Sequence, residues 1–141
     1  MARMATESRH IAQSIARPAG EVYAYVSQPA NVPAWAAGLG SAVEEVGEGE
    51  WYAESPMGRV RIAFAPTNEY GVVDHDVTLP SGDVVHNPMR VIPDGADACE
   101  VVFTVRRPAG ASDEEFERDA GQVAADLARL GEILEGGQAR R

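Results

Sequence analysis

Residues Ser112–Leu134 read SDEEFERDAGQVAADLARLGEIL. Ser112 and Glu115 make a Ser-x-x-Glu capping box, in which each residue satisfies a backbone N–H that a helix start leaves unpaired. Behind the cap, Phe116, Ala120, Val123, Leu127, Leu130 and Leu134 recur at spacings of four and three. Glu117, Arg118, Gln122, Asp126, Arg129 and Glu132 take the other side, so the stretch predicts one long amphipathic helix. At roughly 1.5 to 3 kcal/mol for each large apolar side chain buried, the stripe represents on the order of ten kcal/mol and must lie against a sheet. Gly121 and Gly131 each cost about 1 kcal/mol relative to alanine, which close backbone packing or a local bend would explain. Gly136 and Gly137 stop the helix, and 137–141 is expected to be a flexible tail.

The sheet lies upstream. Between Ser41 and Arg107 run six β-rich segments: Ser41–Val46, Trp51–Glu54, Arg59–Ala65, Tyr70–Leu79, Asp83–Ile92 and Cys99–Arg106. Glycine- and proline-bearing connectors separate them, too short for parallel crossovers, so the pattern is an antiparallel meander. Arg9–Ala16 alternates Ile11, Gln13 and Ile15 with His10, Ala12 and Ser14 and supplies a further strand. Pro18 then suits a first helical position, Val22, Tyr25 and Val26 share one helix face, and Pro29 ends it. A second helical turn follows around Asn31, Pro33 and Trp35. One domain is expected over 8–136, with 1–7 disordered or extended.

The hairpin about Pro80, Ser81 and Gly82 decides which strand faces look inward. A three-residue turn, with glycine in the left-handed bulge position, pairs Leu79 with Asp83, Val77 with Val85, His75 with Asn87 and Val73 with Met89. The face carrying these residues and Val91 is nearly all apolar. The opposite face sets Asp76 against His86 and Asp74 diagonal to Arg90. A two-residue turn would shift the pairing by one and mix polar with apolar on both faces. In the first register His75 and Asn87 are the polar side chains of this hairpin that look into the interior.

Composition removes several classes of function. The chain has 141 residues and carries 12 basic against 22 acidic side chains, a net charge of −10 that repels nucleic acid and anionic membranes. All the basic residues are arginine, which excludes Schiff-base chemistry and a phosphate-loop lysine. Cys99, the single cysteine, sits in a valine-rich run and reads as a buried, inert thiol. No run approaches a membrane span and no signal-like apolar segment opens the chain, so a cytoplasmic protein is expected.

The stretch Ala16–Trp35, ARPAGEVYAYVSQPANVPAW, is similar to the opening of START-like (SRPBCC) domains: a strand, an Ala-Pro-type turn into a helix, and a second short helix leading to a tryptophan. The meander and the final helix extend the resemblance over almost the whole chain, and in particular it looks like the polyketide cyclase/dehydrase group. The resemblance implies an α+β helix-grip fold. A curved seven-stranded antiparallel sheet would wrap the C-terminal helix, with two short helices after the first strand and an apolar cavity between sheet and helix. The cavity it implies suits a hydrophobic small molecule as partner, and no cofactor and no metal are expected. A homodimer through a sheet edge or the exposed helix is compatible with it.

The candidate ligand-binding residues are Trp35, His75, Asn87, Met89 and Phe103. His75 is the candidate catalytic residue, because an imidazole titrates near neutrality and can act as acid or base in an apolar site. It reads equally as a polar ligand contact or as a core histidine held by Asn87. Asp74 and Asp76 share a strand face but read as surface partners of Arg90 and His86 rather than as metal ligands. Arg59 and Arg61 read as a solvated outer face. Three functions follow as expectations: binding or carriage of a polyketide, lipid or isoprenoid; a cofactor-free cyclase or dehydratase using His75; and an acidic protein-interaction module.

Overall fold

The computed structural model describes residues 6–36, 43–47, 50–56 and 58–137. Strand β1 (Ser8–Ile15) leads into α1 (Ala19–Val26), a 3-10 turn (Pro29–Asn31) and α2 (Val32–Trp35). Strands β2 (Val43–Gly47), β3 (Glu50–Ser55), β4 (Gly58–Phe64), β5 (His75–Thr78), β6 (Val84–Asn87), β7 (Met89–Pro93) and β8 (Cys99–Arg106) precede α3 (Asp113–Glu132). A wider π-type turn, Ile133–Gly137, closes the described chain. The expectations for residues 1–5 and 138–141 lie outside the described residues, as do Ser41 and Ala42 at the start of the second expected strand. Glu7, within the expected N-terminal extension, continues β1 by accepting the Arg107 N–H at 2.9 Å.

The expected single seven-stranded sheet is not what forms. Among the described residues eight antiparallel strands make two sheets, ordered β1-β8-β7 and β2-β3-β4-β5-β6. The division falls at Pro88, inside the expected strand Asp83–Ile92. Proline has no N–H for a ladder, and its carbonyl instead accepts from Thr104 N at 2.9 Å. The next N–H, of Met89, is taken by the Asp74 carboxylate at 2.9 Å. The expected strand Tyr70–Leu79 is shortened because Asn68 Oδ1 accepts the N–H groups of Tyr70 and Val72 and folds that segment into a turn. The sheets stay joined through the Val73 N–H on Met89 O at 2.8 Å and the Val91 N–H on Gly71 O at 2.9 Å.

Helix α3 begins at the expected capping box, Ser112 N donating to Glu115 Oε1 at 2.8 Å and Glu115 N to Ser112 Oγ at 3.1 Å. Phe116, Ala120, Leu127 and Leu130 are buried, as is Leu134 in the turn beyond. The guanidinium groups of Arg9 and Arg107 both lie over the Phe116 ring, 5.0 and 5.7 Å from its centroid. Arg9 also pairs with Glu117, which fixes α3 on β1. Gly131 rests on that strand, where a methyl group would meet Ile15 and Gln13 at ordinary contact distances. Nothing in the structure explains Gly121.

Candidate functional site

The β5–β6 register is that of the three-residue turn. Leu79 N donates to Asp83 O at 2.9 Å, and His75 faces Asn87, Asp76 faces His86 and Val77 faces Val85. Gly82 holds a φ of 97°, the left-handed value the turn requires. On the outer face Arg90 forks onto Asp74 at 2.9 and 3.0 Å, which holds that carboxyl below its ordinary pKa. Asp76 bonds His86 at 2.6 Å. Both aspartates are therefore engaged in surface pairs on the face turned away from the core.

On the inner face a cavity of about 460 Å³ opens between the β2–β6 sheet, β8, α2 and α3. Its volume falls within the span typical of small-molecule sites, about 300 to 1,000 Å³. Trp35, His75, Asn87 and Phe103 line it together. Met89 does not: it is 0% exposed in the main core, because the break at Pro88 places it on β7 in the other sheet. Phe64 was not among the expected residues, yet it is the cross-strand neighbour of His75 in β4 and stacks on it, centroids 5.1 Å apart. Extending the hairpin register by one strand would have found it. The flank of α3 carrying Asp119, Gln122, Val123 and Asp126 was also missed, since on the helical pattern its polar members belong to the solvent side.

His75 is the chemical centre of this wall. It is 9% exposed, and Phe103 meets its ring edge-on at 5.8 Å. Its Nδ1 lies 3.0 Å from the Val73 carbonyl, not on Asn87. A carbonyl only accepts, so Nδ1 carries the proton and Nε2 holds a lone pair. No group among the described residues bonds Nε2. Burial pushes the imidazole pKa down, opposed by the Val73 carbonyl and by the carboxylates of Asp74 and Asp76, so the neutral base is favoured. Trp35 Nε1 is buried with no partner among the described residues. Cys99 is buried, which raises its thiol pKa and keeps it unreactive.

A second, shallow depression of about 470 Å³ lies outside the larger sheet, lined by Tyr52, Arg59, Arg61, Thr78 and Leu79. Its guanidinium groups are already occupied: Arg59 reaches Glu44 at 2.8 Å and stacks on Tyr52, and Arg61 lies 3.6 Å from Glu50. The inner cavity, with an unpartnered polar atom in an aromatic wall, is therefore the candidate site. No described helix is long and apolar enough to cross a membrane.

No family model and no curated protein matches this sequence. Solved structures do. An uncharacterized protein from Bacillus thuringiensis superposes with a TM-score of 0.73 at 12% identity, over 90% of this chain and 98% of that one. A Deinococcus radiodurans protein matches at 0.65 and 21% identity, over 93% and 99%. Norcoclaurine synthase from Thalictrum flavum, solved in one case with dopamine and hydroxybenzaldehyde, matches at 0.63 and 16% identity, over 94% and 88%. At these identities the likeness establishes architecture alone, and that architecture is an α+β helix-grip fold, here built from two antiparallel sheets and a long C-terminal helix.

Proposed function

We propose that this protein binds a largely apolar small molecule, of polyketide, lipid or isoprenoid type, in the cavity between the larger sheet and α3. The observation that carries the reading is His75, a buried side chain whose free acceptor atom sits in a wall of Phe64, Phe103 and Val77. Membership of the polyketide cyclase/dehydrase group, a domain spanning 8–136 and a cytoplasmic location belong to the same proposal. N-phenyl-1-naphthylamine, a neutral apolar dye, is expected to gain fluorescence on binding and to raise the melting temperature. Val77→Trp, which sets a bulky ring on the cavity wall, is expected to weaken the dye at least tenfold. Equal binding by both proteins would place the dye elsewhere and remove the reading.

The neutral Nε2 of His75 favours a second reading, a cofactor-free cyclase or dehydratase in which this atom takes a proton and Asn87 orients a carbonyl. For such chemistry His75→Gln is expected to lower turnover by roughly 10²- to 10⁴-fold while leaving ligand affinity within a few-fold. Turnover that survives the substitution rejects His75 as the base.

A further inference from the structure

The polar groups left open in the cavity wall are all neutral. His75 Nε2 is a bare acceptor, because Nδ1 gives its proton to the Val73 carbonyl 3.0 Å away. Asn87, directly opposite His75 on the same face of the β5–β6 ladder, makes no side-chain hydrogen bond among the described residues. Trp35, lining the same space, keeps its Nε1–H without a partner among them. The direction of the His75 lone pair is fixed. Phe64 stacks on the ring with the two planes 27° apart, Phe103 meets it edge-on, and Nδ1 is tied to Val73. The imidazole cannot turn toward a protein donor without losing these contacts, so an occupant must bring the donor. Opposed side chains of an antiparallel pair stand about 5 Å apart at Cβ, a gap that one hydroxyl can bridge. At the rim Arg106 and Asp119 carry opposite charges, and Asp126 accepts from Gln122 Nε2 at 2.8 Å. The rim therefore places no demand on the charge of a ligand.

We infer that the cavity selects an uncharged, hydroxyl-bearing ligand, an alcohol or phenol whose O–H donates to His75 Nε2 and whose oxygen accepts from the Asn87 amide. The inference rests on the cavity being a ligand site and adds the polar group that its ligand carries. An ether of the same shape brings no donor and seals Nε2 away from water unpaired. An ionised carboxylate also lacks the donor, and it sets its own lone pairs against that of the imidazole. Free fatty acids are thereby separated from alcohols of the same apolar bulk. Phe64, Phe103 and Trp35 give the wall an aromatic character that suits a ring beside the hydroxyl.

The test uses three ligands matched in ring and tail: 4-butylphenol, 4-butylanisole and 4-butylbenzoate. Each is titrated at pH 7.5 against the protein carrying N-phenyl-1-naphthylamine. The phenol is expected to displace the dye about tenfold more tightly than the anisole, with the benzoate weakest. In His75→Phe, which keeps a ring but removes the acceptor, phenol and anisole are expected to agree within about twofold. Asn87→Leu is expected to weaken both, since both offer an oxygen, and to keep their ratio. Melting curves confirm that the variants fold, and the comparison of the three ligands on the wild-type protein stands without them. If the anisole matches the phenol, or the benzoate exceeds it, the inference falls and the binding reading stands. Should the dye and all three ligands fail to bind, both fall. A phenol preference that survives His75→Phe, or disappears in Asn87→Leu, takes the donor contact away from Nε2 and overturns the assignment.

Discussion

Gly71→Ala is expected to destabilise the protein by about 3 kcal/mol or more, a large effect for one added methyl group. Gly71 holds a φ of 74°, and a side chain in that left-handed region costs roughly 1 to 2 kcal/mol. The larger part comes from what the methyl would strike. A Cβ built there lies 2.2 Å from the Val91 carbonyl oxygen and 3.2 Å from its carbon, and neither is a side-chain end that can turn aside. Relief requires the 66–74 segment to leave β7, breaking the Val91 N–H bond to Gly71 O at 2.9 Å. That bond is one of the few joining the two sheets, and the same segment presents the Val73 carbonyl that orients His75. Gly95→Ala is the matched control: φ is 77° but nothing lies within 4 Å of the added carbon, so only the conformational cost of about 1 to 2 kcal/mol applies. Urea unfolding of the two variants separates the terms. Equal losses would mean that the close approach to Val91 contributes nothing.

The position of Gly71 also marks where sequence reading stopped. Periodicity carried the strongly patterned elements: the capping box at Ser112, the stripe through Leu134, the limits of β8 and the β5–β6 register, with its Asp76–His86 and Asp74–Arg90 pairs, all stand as read. Those features are local or depend on one tight turn, where side-chain chemistry and backbone geometry are coupled. The division of the sheet is different in kind. Pro88 lies inside the expected strand Asp83–Ile92, and whether a proline there divides a sheet depends on which partners wait for the neighbouring groups. Asp74 for the Met89 N–H, and Thr104 for the Pro88 carbonyl, come from distant parts of the chain.

The same distinction runs through the site. His75, Asn87, Trp35 and Phe103 were readable because alternation assigns a strand residue to one of two faces, and because the opening motif drew attention to Trp35. Met89 followed the same alternation and was carried into the core when the chain changed sheet after Pro88. Helix α3 offers no such binary choice. Asp119, Gln122 and Asp126 occupy a flank between the buried stripe and solvent, and whether a flank meets water or a cavity depends on how far the sheet curves over it. An acidic ridge on a helix is ordinarily a solvated face, and only the placement of β5, β6 and β8 gives this one a cavity to border.

Acidification from pH 7.5 towards 5 is expected to destabilise the wild-type protein, and His75→Phe to abolish most of that loss. The folded imidazole has its pKa lowered below 6.5, chiefly by burial. His86 lowers it further, while the Val73 carbonyl and the charges of Asp74 and Asp76 act the other way. Asp119 and Asp126 border the same cavity from α3. The unfolded chain takes up the proton near pH 6.5, before the folded chain does, so in this window it binds more protons and stability falls with pH. For one site the slope approaches about 1.4 kcal/mol per pH unit, and the stability the neutral imidazole contributes is lost as pH falls through its folded pKa. The carboxylates of Asp74, Glu115 and Glu117 are held low by Arg90, by the Ser112 cap and by Arg9 respectively. Their contributions persist above the ordinary carboxylate range and are lost in more acidic solution, outside the imidazole's window. Phenylalanine keeps an aromatic ring between Phe64 and Phe103 and gives up the bond to Val73 O, at a cost of about 1 kcal/mol near pH 7.5. The variant is therefore expected to start less stable, to hold a flatter stability profile, and to close on or overtake the wild type as pH falls. Urea midpoints measured across the window decide it. Parallel profiles for the two proteins would mean that His75 does not titrate differently on folding, and the neutral base at the cavity wall would lose its support.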